Sequence, residues 1–149
     1  MSGSLQDSQA AIIQQLLLDL GLGTLVDNEL PWPVYANHHP DSPDNSICVY
    51  STEGQVQNRV QIDGGVNEAH GIQIRLRSVG PVDSYVKARS LLVALDTQVS
   101  NITVNVGDNH YVVNSIDRTS DVISLGMEAP TSERFLQTMN MLVTLTQTS

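Results

Sequence analysis

The chain has 149 residues, of which 40% are hydrophobic and only 15% charged; this allows one domain with a buried core and excludes a coiled coil or a wholly disordered chain. Seven Lys and Arg against sixteen Asp and Glu give a formal net charge of −9, which argues against wrapping of nucleic acid because that binding needs clustered basic residues. The one cysteine excludes an internal disulfide, and the longest apolar runs are far shorter than the roughly 20 residues that span a bilayer.

The first predicted element is a helix that begins at Leu5 or Ser8 and ends at Leu20. Its leucines and isoleucines recur at intervals of three and four residues, which is the spacing of one helix face. Asp7 or Ser8 suits the N-cap position, because a side-chain oxygen there can accept a bond from a free backbone N–H, and Gly21 and Gly23 supply the stop.

The stretch that follows is rich in proline. Four prolines fall within residues 28–46, and since proline cannot donate to a strand ladder, this stretch is predicted to be an extended crossing. It leaves room for short strands at 34–36 and 46–51.

Residues 52–69 form a long polar segment. Val56, Val60 and Ile62 are separated by Gln, Asn and Arg, a spacing that favours a hairpin arm projecting from the body. A polar segment of this length inside a compact domain is usually either functional or mobile. Its candidate contacts with a partner are Gln55, Gln57, Arg59, Gln61 and Asp63.

A strand and a helix come next. Over His70–Ser78, three aliphatic residues alternate with Gln73, Arg75 and Arg77, which predicts a strand with one apolar face. Pro81 suits the first turn of a helix. The apolar stripe predicted to be buried along that helix consists of Tyr85, Ala88, Leu92, Leu95 and Val99.

The last third of the chain is predicted to be extended. Ile102–Val106 alternates in polarity, turns at Gly107-Asp108-Asn109 and returns over His110–Arg118 as a hairpin. A further extended stretch covers Asp121–Leu125, and the final strand covers Glu133–Thr146.

Several strands of period two and two helices predict an α+β fold. The expected architecture is a mostly antiparallel sheet with two main helices packed on one face and a projecting arm or long loop. We expect residues 1–149 to form a single domain.

Residues with reactive side chains are few. Neither a Gly-rich phosphate loop, a nucleophile elbow nor paired cysteines occur. His38, His39, Asp41 and Asp44 carry the imidazoles and carboxylates that a small metal-dependent hydrolase would use, but prolines among them indicate a surface loop. Catalytic residues, metal ligands and cofactors are therefore all predicted to be absent, with the hydrolase as an alternative.

Arginines provide the other candidate contacts. Arg75 and Arg77 share the outer face of their strand, where we expect them to be solvated or paired with acids on the next strand or subunit. A monomeric binding module that uses this face is a further alternative. Arg134, at the start of the last predicted strand, completes the candidate interface residues.

Four stretches of the chain, in this order, carry a resemblance to a known family. They are the helix end Leu20-Gly21-Leu22-Gly23, then Val34-Tyr35 through Pro40-Asp41-Ser42-Pro43-Asp44 to Ile47-Cys48-Val49-Tyr50, then Gly71-Ile72-Gln73-Ile74-Arg75-Leu76-Arg77 with Tyr85-Val86-Lys87-Ala88-Arg89, and finally Leu125-Gly126-Met127-Glu128 with Glu133-Arg134 and the strand after it. With this order and spacing the chain resembles the tail terminator proteins of long-tailed bacteriophages, which are also called minor capsid or tail completion proteins.

The resemblance implies a structural virion protein and no enzyme. Such proteins form a ring, expected to be a hexamer, that caps the head-proximal end of the tail tube, ends tube polymerisation and joins the tail to the neck. The implied partners are further copies of the chain, the major tail tube protein and the neck or stopper protein. The implied location is the tail–neck junction of the virion, and the host cytoplasm during assembly. Another head–tail connector component, a stopper or an adaptor, is the main alternative.

An acidic ring would let DNA pass through its lumen without specific binding, because like charges remove the gain from counterion release. The acids expected to face the lumen or a partner are Asp63, Glu68, Asp108 and Asp121.

Overall fold

The structure is a computed structural model that describes residues 7–23, 32–40, 45–52, 68–127 and 134–148. The described elements, in chain order, are α1 (Gln9–Asp19), β1 (Val34–Ala36), β2 (Ser46–Thr52), β3 (Glu68–Ser78), α2 (Pro81–Gln98), β4 (Ile102–Val106), β5 (Asn109–Arg118), β6 (Ile123–Met127) and β7 (Phe135–Thr148). The predicted α+β class, with its mostly antiparallel sheet, is confirmed. The predicted arm lies almost wholly outside the described residues.

The seven described strands form one sheet, in which six follow the order β1-β2-β3-β7-β5-β4 and the seventh, β6, lies off this path. Every neighbouring pair is antiparallel except β1 and β2, which are parallel. β6 also pairs with β7, on the edge that β5 uses: Arg118 of β5 lies opposite Met141, and Ile123 of β6 lies opposite Thr138. β5 and β6 therefore follow one another along the same edge of β7.

The first helix closes the curled sheet. The Ser8 hydroxyl accepts a bond from the Ala11 N–H at 3.2 Å, which confirms the predicted cap. Gly21 ends the helix with a φ of 73°, a conformation that favours glycine. α1 packs against β1 and β2 and also against β4, at the opposite end of the strand order, so the sheet must curl around it.

The second helix buries a face slightly different from the predicted one. Ala88, Leu92, Leu95 and Val99 are buried as expected, but Tyr85 is 46% exposed. Ser84 is buried in its place because the buried face is centred on positions 84, 88, 91 and 95, which leaves position 85 on its margin.

One hydrophobic core joins the helices to one face of the sheet. Ile72, Ile74 and Leu76 of β3 point into it together with Met139 and Met141 of β7, and all are at most 2% exposed. The alternate residues of β3 therefore point to the opposite side, which we call the outer face of the sheet.

Candidate functional site

A row of side chains crosses the outer face of the sheet. The strand registers place Tyr35, Cys48, Arg75 and Thr138 side by side on four neighbouring strands. Cys48 and Thr138 are buried, although both described helices pack on the other side of the sheet. The row is therefore a packed polar layer.

Arg77 lies within this layer and is only 2% exposed. Its Nη2 donates a hydrogen bond to the carbonyl oxygen of Pro40 at 2.6 Å. The expectation that Arg77 would be solvated is wrong, because its side chain is buried. The chain after β1 crosses back over the end of the sheet, where the His39 ring contacts the Ser46 hydroxyl at 2.6 Å and encloses the arginine.

Arg75, two residues earlier, is held differently. Its guanidinium carbon lies 5.1 Å from the centroid of the Tyr50 ring, a cation–π arrangement. Its Nη2 reaches Gln73 Oε1 at 3.5 Å, while its Nε is buried without a hydrogen-bond partner among the described residues. Arg75 therefore carries a fixed positive charge with unused hydrogen-bonding capacity.

His39, Cys48 and Tyr50, which lie in or beside this layer, stay neutral near pH 7. Burial lowers the pKa of His39 to about 4, and the positive charges of Arg77 and Arg75 add to the shift. Burial raises the pKa of the Cys48 thiol, and it raises the pKa of Tyr50 to about 12. A neutral thiol is a poor nucleophile, and a histidine with this pKa is a weak base. The layer is suited to packing and recognition.

Acid should destabilise the protein through His39. The folded pKa of about 4 lies below the unfolded value of 6.5, so between these two values the unfolded chain binds more protons than the native one. The contribution of His39 to stability is complete above pH 6.5 and is lost as the pH falls toward 4. We expect the urea midpoint of His39→Gln to decrease less between pH 7 and pH 4 than that of the native protein.

The matched control is His38→Gln, since His38 is exposed. Equal acid sensitivity of His39→Gln and the native protein would contradict the buried neutral state of His39.

A metal centre at the predicted histidines lacks support in the described residues. His38 and His39 are described, whereas Asp41 and Asp44 lie outside the described ranges. In those ranges, no group of three or more His, Cys, Asp or Glu side chains could hold an ion. None of the described helices has the length and apolar character needed to cross a membrane.

The structure brings three of the predicted arginines together. Arg75, Arg77 and Arg134 all act electrostatically on His39, although the chain as a whole carries −9. Gln55, Gln57, Arg59, Gln61 and Asp63 lie outside the described residues.

The predicted lumen acids are dispersed. Asp108 is exposed in the turn between β4 and β5, and Asp121 pairs with Arg89 of α2 at 3.1 Å. Asp63 and the side chain of Glu68 are not among the described parts. The described acids therefore do not form one cluster.

Sequence analysis missed an apolar surface on the outside of α2. Val82, Val86 and Val93 are 68%, 59% and 55% exposed. Val86, Val93 and Arg89 also line a cleft of about 550 Å³ that Leu22 closes. The signal was present in the sequence, because these valines recur at intervals of four and seven, opposite the buried stripe.

Sequence analysis also missed an open strand edge at β6. One edge of β6 pairs with β7, and no described strand pairs with the other. Ile123 and Leu125 on this strand are 42% and 51% exposed. The two terminal strands of the sheet lie against α1: Gln14 of α1 donates to the Val34 carbonyl of β1 at 2.7 Å, and α1 also packs against β4.

Comparisons with known proteins agree with this fold. A family model described as bacteriophage tail terminator protein matches residues 11–147. A solved chain from the virion of a native gene transfer agent particle has 17% sequence identity and a TM-score of 0.54, with 93% of each chain covered. A second solved chain, which carries no functional description, has 14% identity and a TM-score of 0.51 over 99% of this chain and 98% of its own. No curated protein sequence matches.

Proposed function

The chain belongs to the bacteriophage tail terminator family, and from that premise we propose that its copies close into a six-membered ring on the head-proximal end of the tail tube. The observation that carries the proposal is the family match over residues 11–147, which leaves almost no part of the chain unaccounted for. As a member of this family the chain is a structural protein of the phage tail. Family membership also favours a terminator over a stopper or adaptor.

Capping works by occupying the surface on which the tube grows. A ring requires a contact between two different surfaces of the subunit, repeated until it closes. Once closed on the last tube layer, the ring leaves the next tube subunit no site at which to add, and its free side can bind the neck. Neither step needs a reactive group, in keeping with the neutral His39, Cys48 and Tyr50.

Charge supports this assembly role. The net charge of −9 suits a lumen through which DNA slides, with Asp108 and Asp121 as exposed acids available to face it. The positive region around Arg75 and Arg134 can in turn accept carboxylates from an acidic neighbour. Arg77 acts indirectly, by fixing the chain beside this region.

The proposal is tested by polymerising purified tube protein in the presence of this chain. We expect tubes whose length stops increasing when the chain is added at about one ring per tube, with ring-shaped density at one end in particle images. A substoichiometric effect is the sharp criterion, because a protein that merely sequesters tube subunits must be added in proportion to them. Tubes that continue to grow at the same rate would overturn the proposal.

A further inference from the structure

The open edge of β6 has a specific occupant. We propose that in the ring this edge receives residues 55–63 of a neighbouring copy as an added strand. The inference rests on the proposed ring function and names one of the contacts that would close it.

The edge has the properties of a strand acceptor. On the edge away from β7, and on both sides of the bulge at Leu125, β6 presents backbone N–H and C=O groups that no described strand uses. An unpaired edge is a template for another strand. Ile123 and Leu125 expose apolar surface there that an added strand would cover. Main-chain bonds would supply affinity, and the alternate side chains would supply specificity.

The donor segment has the pattern of a strand in need of a partner. From residue 55 to residue 63 the odd positions are all polar and the even positions are apolar except for Asn58, and there is no proline. Its one base, Arg59, complements Asp117, which is exposed near the end of β5 that leads to β6.

Geometry requires the donor to be another copy. The segment leaves β2 after Thr52, which pairs with Gly71 of β3 and so lies level with Leu142 of β7. It returns to β3 at Glu68, which lies level with Leu145 of β7. Ile123, at the near end of β6, lies level with Thr138. Along β7, Thr138 is four residues from Leu142 and seven from Leu145, which corresponds to about 14 and 24 Å.

The links to the segment are too short for that distance within one chain. Position 55 is three residue steps beyond Thr52, and Glu68 is five steps beyond position 63, so these links reach at most about 10 and 17 Å. The donor root and the acceptor edge thus lie at opposite ends of the sheet. That separation is what a contact that closes a ring needs.

Cysteine cross-linking between two differently substituted chains tests the contact. We expect Asn58→Cys and Leu125→Cys, mixed and assembled into rings on tail tubes, to give a disulfide-linked dimer that neither gives alone. Cys48 is a low background, because it is buried and its thiol pKa is raised. The matched control replaces Leu125→Cys with Thr103→Cys, an exposed position on β4.

The outcomes separate this inference from the function on which it rests. Rings that form normally, yet cross-link no more through Leu125→Cys than through Thr103→Cys, would overturn the inference alone. Cross-linking within a dilute monomer that carries both Asn58→Cys and Leu125→Cys would also overturn it, since the donor would then be the same chain. Absence of any ring would overturn the proposed function and this inference with it.

Discussion

Deletion of residues 54–64 should leave a folded monomer that no longer assembles into rings. Thr52 and Gly71 are paired in adjacent antiparallel strands, and the shortened connection still has enough residues to join β2 to β3 as a hairpin. The core gathers its apolar side chains from the two helices and the sheet, so the helical circular dichroism signal and a cooperative unfolding transition should persist. Assembly, measured as mass in solution and as capping of tubes, should fall below detection.

A length-matched control distinguishes the effect of losing the side chains of this segment from the effect of shortening the connection between β2 and β3. Replacing residues 54–64 by eleven alternating glycines and serines keeps the connection length while it removes every side chain that could bind a neighbour. We expect this variant to fail in assembly as completely as the deletion does. Normal tube capping by the deleted chain would show that the segment is not an assembly arm.

The local elements were predictable because their signals lie within a few residues. Alternation over β3 and helical spacing over α1 gave both elements nearly at their observed bounds, and Ser8 marked the start of α1 through its own hydroxyl. Tyr85 was placed wrongly, because a stripe read from sequence fixes the direction of a helix face only to within about one residue.

Contacts between distant parts of the chain were not predictable in this way. The burial of Arg77 depends on the carbonyl of Pro40, 37 positions away, and a local alternation pattern shows only that Arg77 faces away from the core. The parallel pairing of β1 with β2 likewise depends on where the proline-rich crossing returns.

The open edge of β6 escaped sequence analysis for a related reason. An extended stretch over Asp121–Leu125 was expected, but which of its edges would be paired depends on β5 and β6 sharing one edge of β7. Exposure of Ile123 and Leu125 follows from that order of strands and is not a property of their local sequence. Family resemblance indicated a structural protein of the phage tail, whereas the edge of the proposed contact could be found only from the sheet.

Arg77→Ala should destabilise the isolated chain far more than Arg75→Ala, although the two residues share one face of one strand. Arg77 fills a buried site and its charged group donates to Pro40, so truncation removes packing and a charge-assisted bond and should cost about 2–5 kcal/mol in the free energy of unfolding. Arg75 is partly exposed and chiefly stacked on Tyr50, a contact worth about 1 kcal/mol or less. Urea unfolding of both variants measures the difference.

Ring formation should show the opposite ranking when equal amounts of folded protein are compared: substitution of Arg75 should weaken it more than substitution of Arg77. Arg75→Glu reverses a charge that can accept a carboxylate of an acidic neighbour, so we expect a folded monomer with weakened ring formation. Arg75→Lys keeps the charge, so this variant should retain most of the ring formation. Because Arg77 is enclosed, its loss should reduce assembly only in proportion to the fraction unfolded. If Arg75→Glu assembled like the native chain, Arg75 would be removed from the interface, while the stability difference between the two arginines would remain as a statement about the fold.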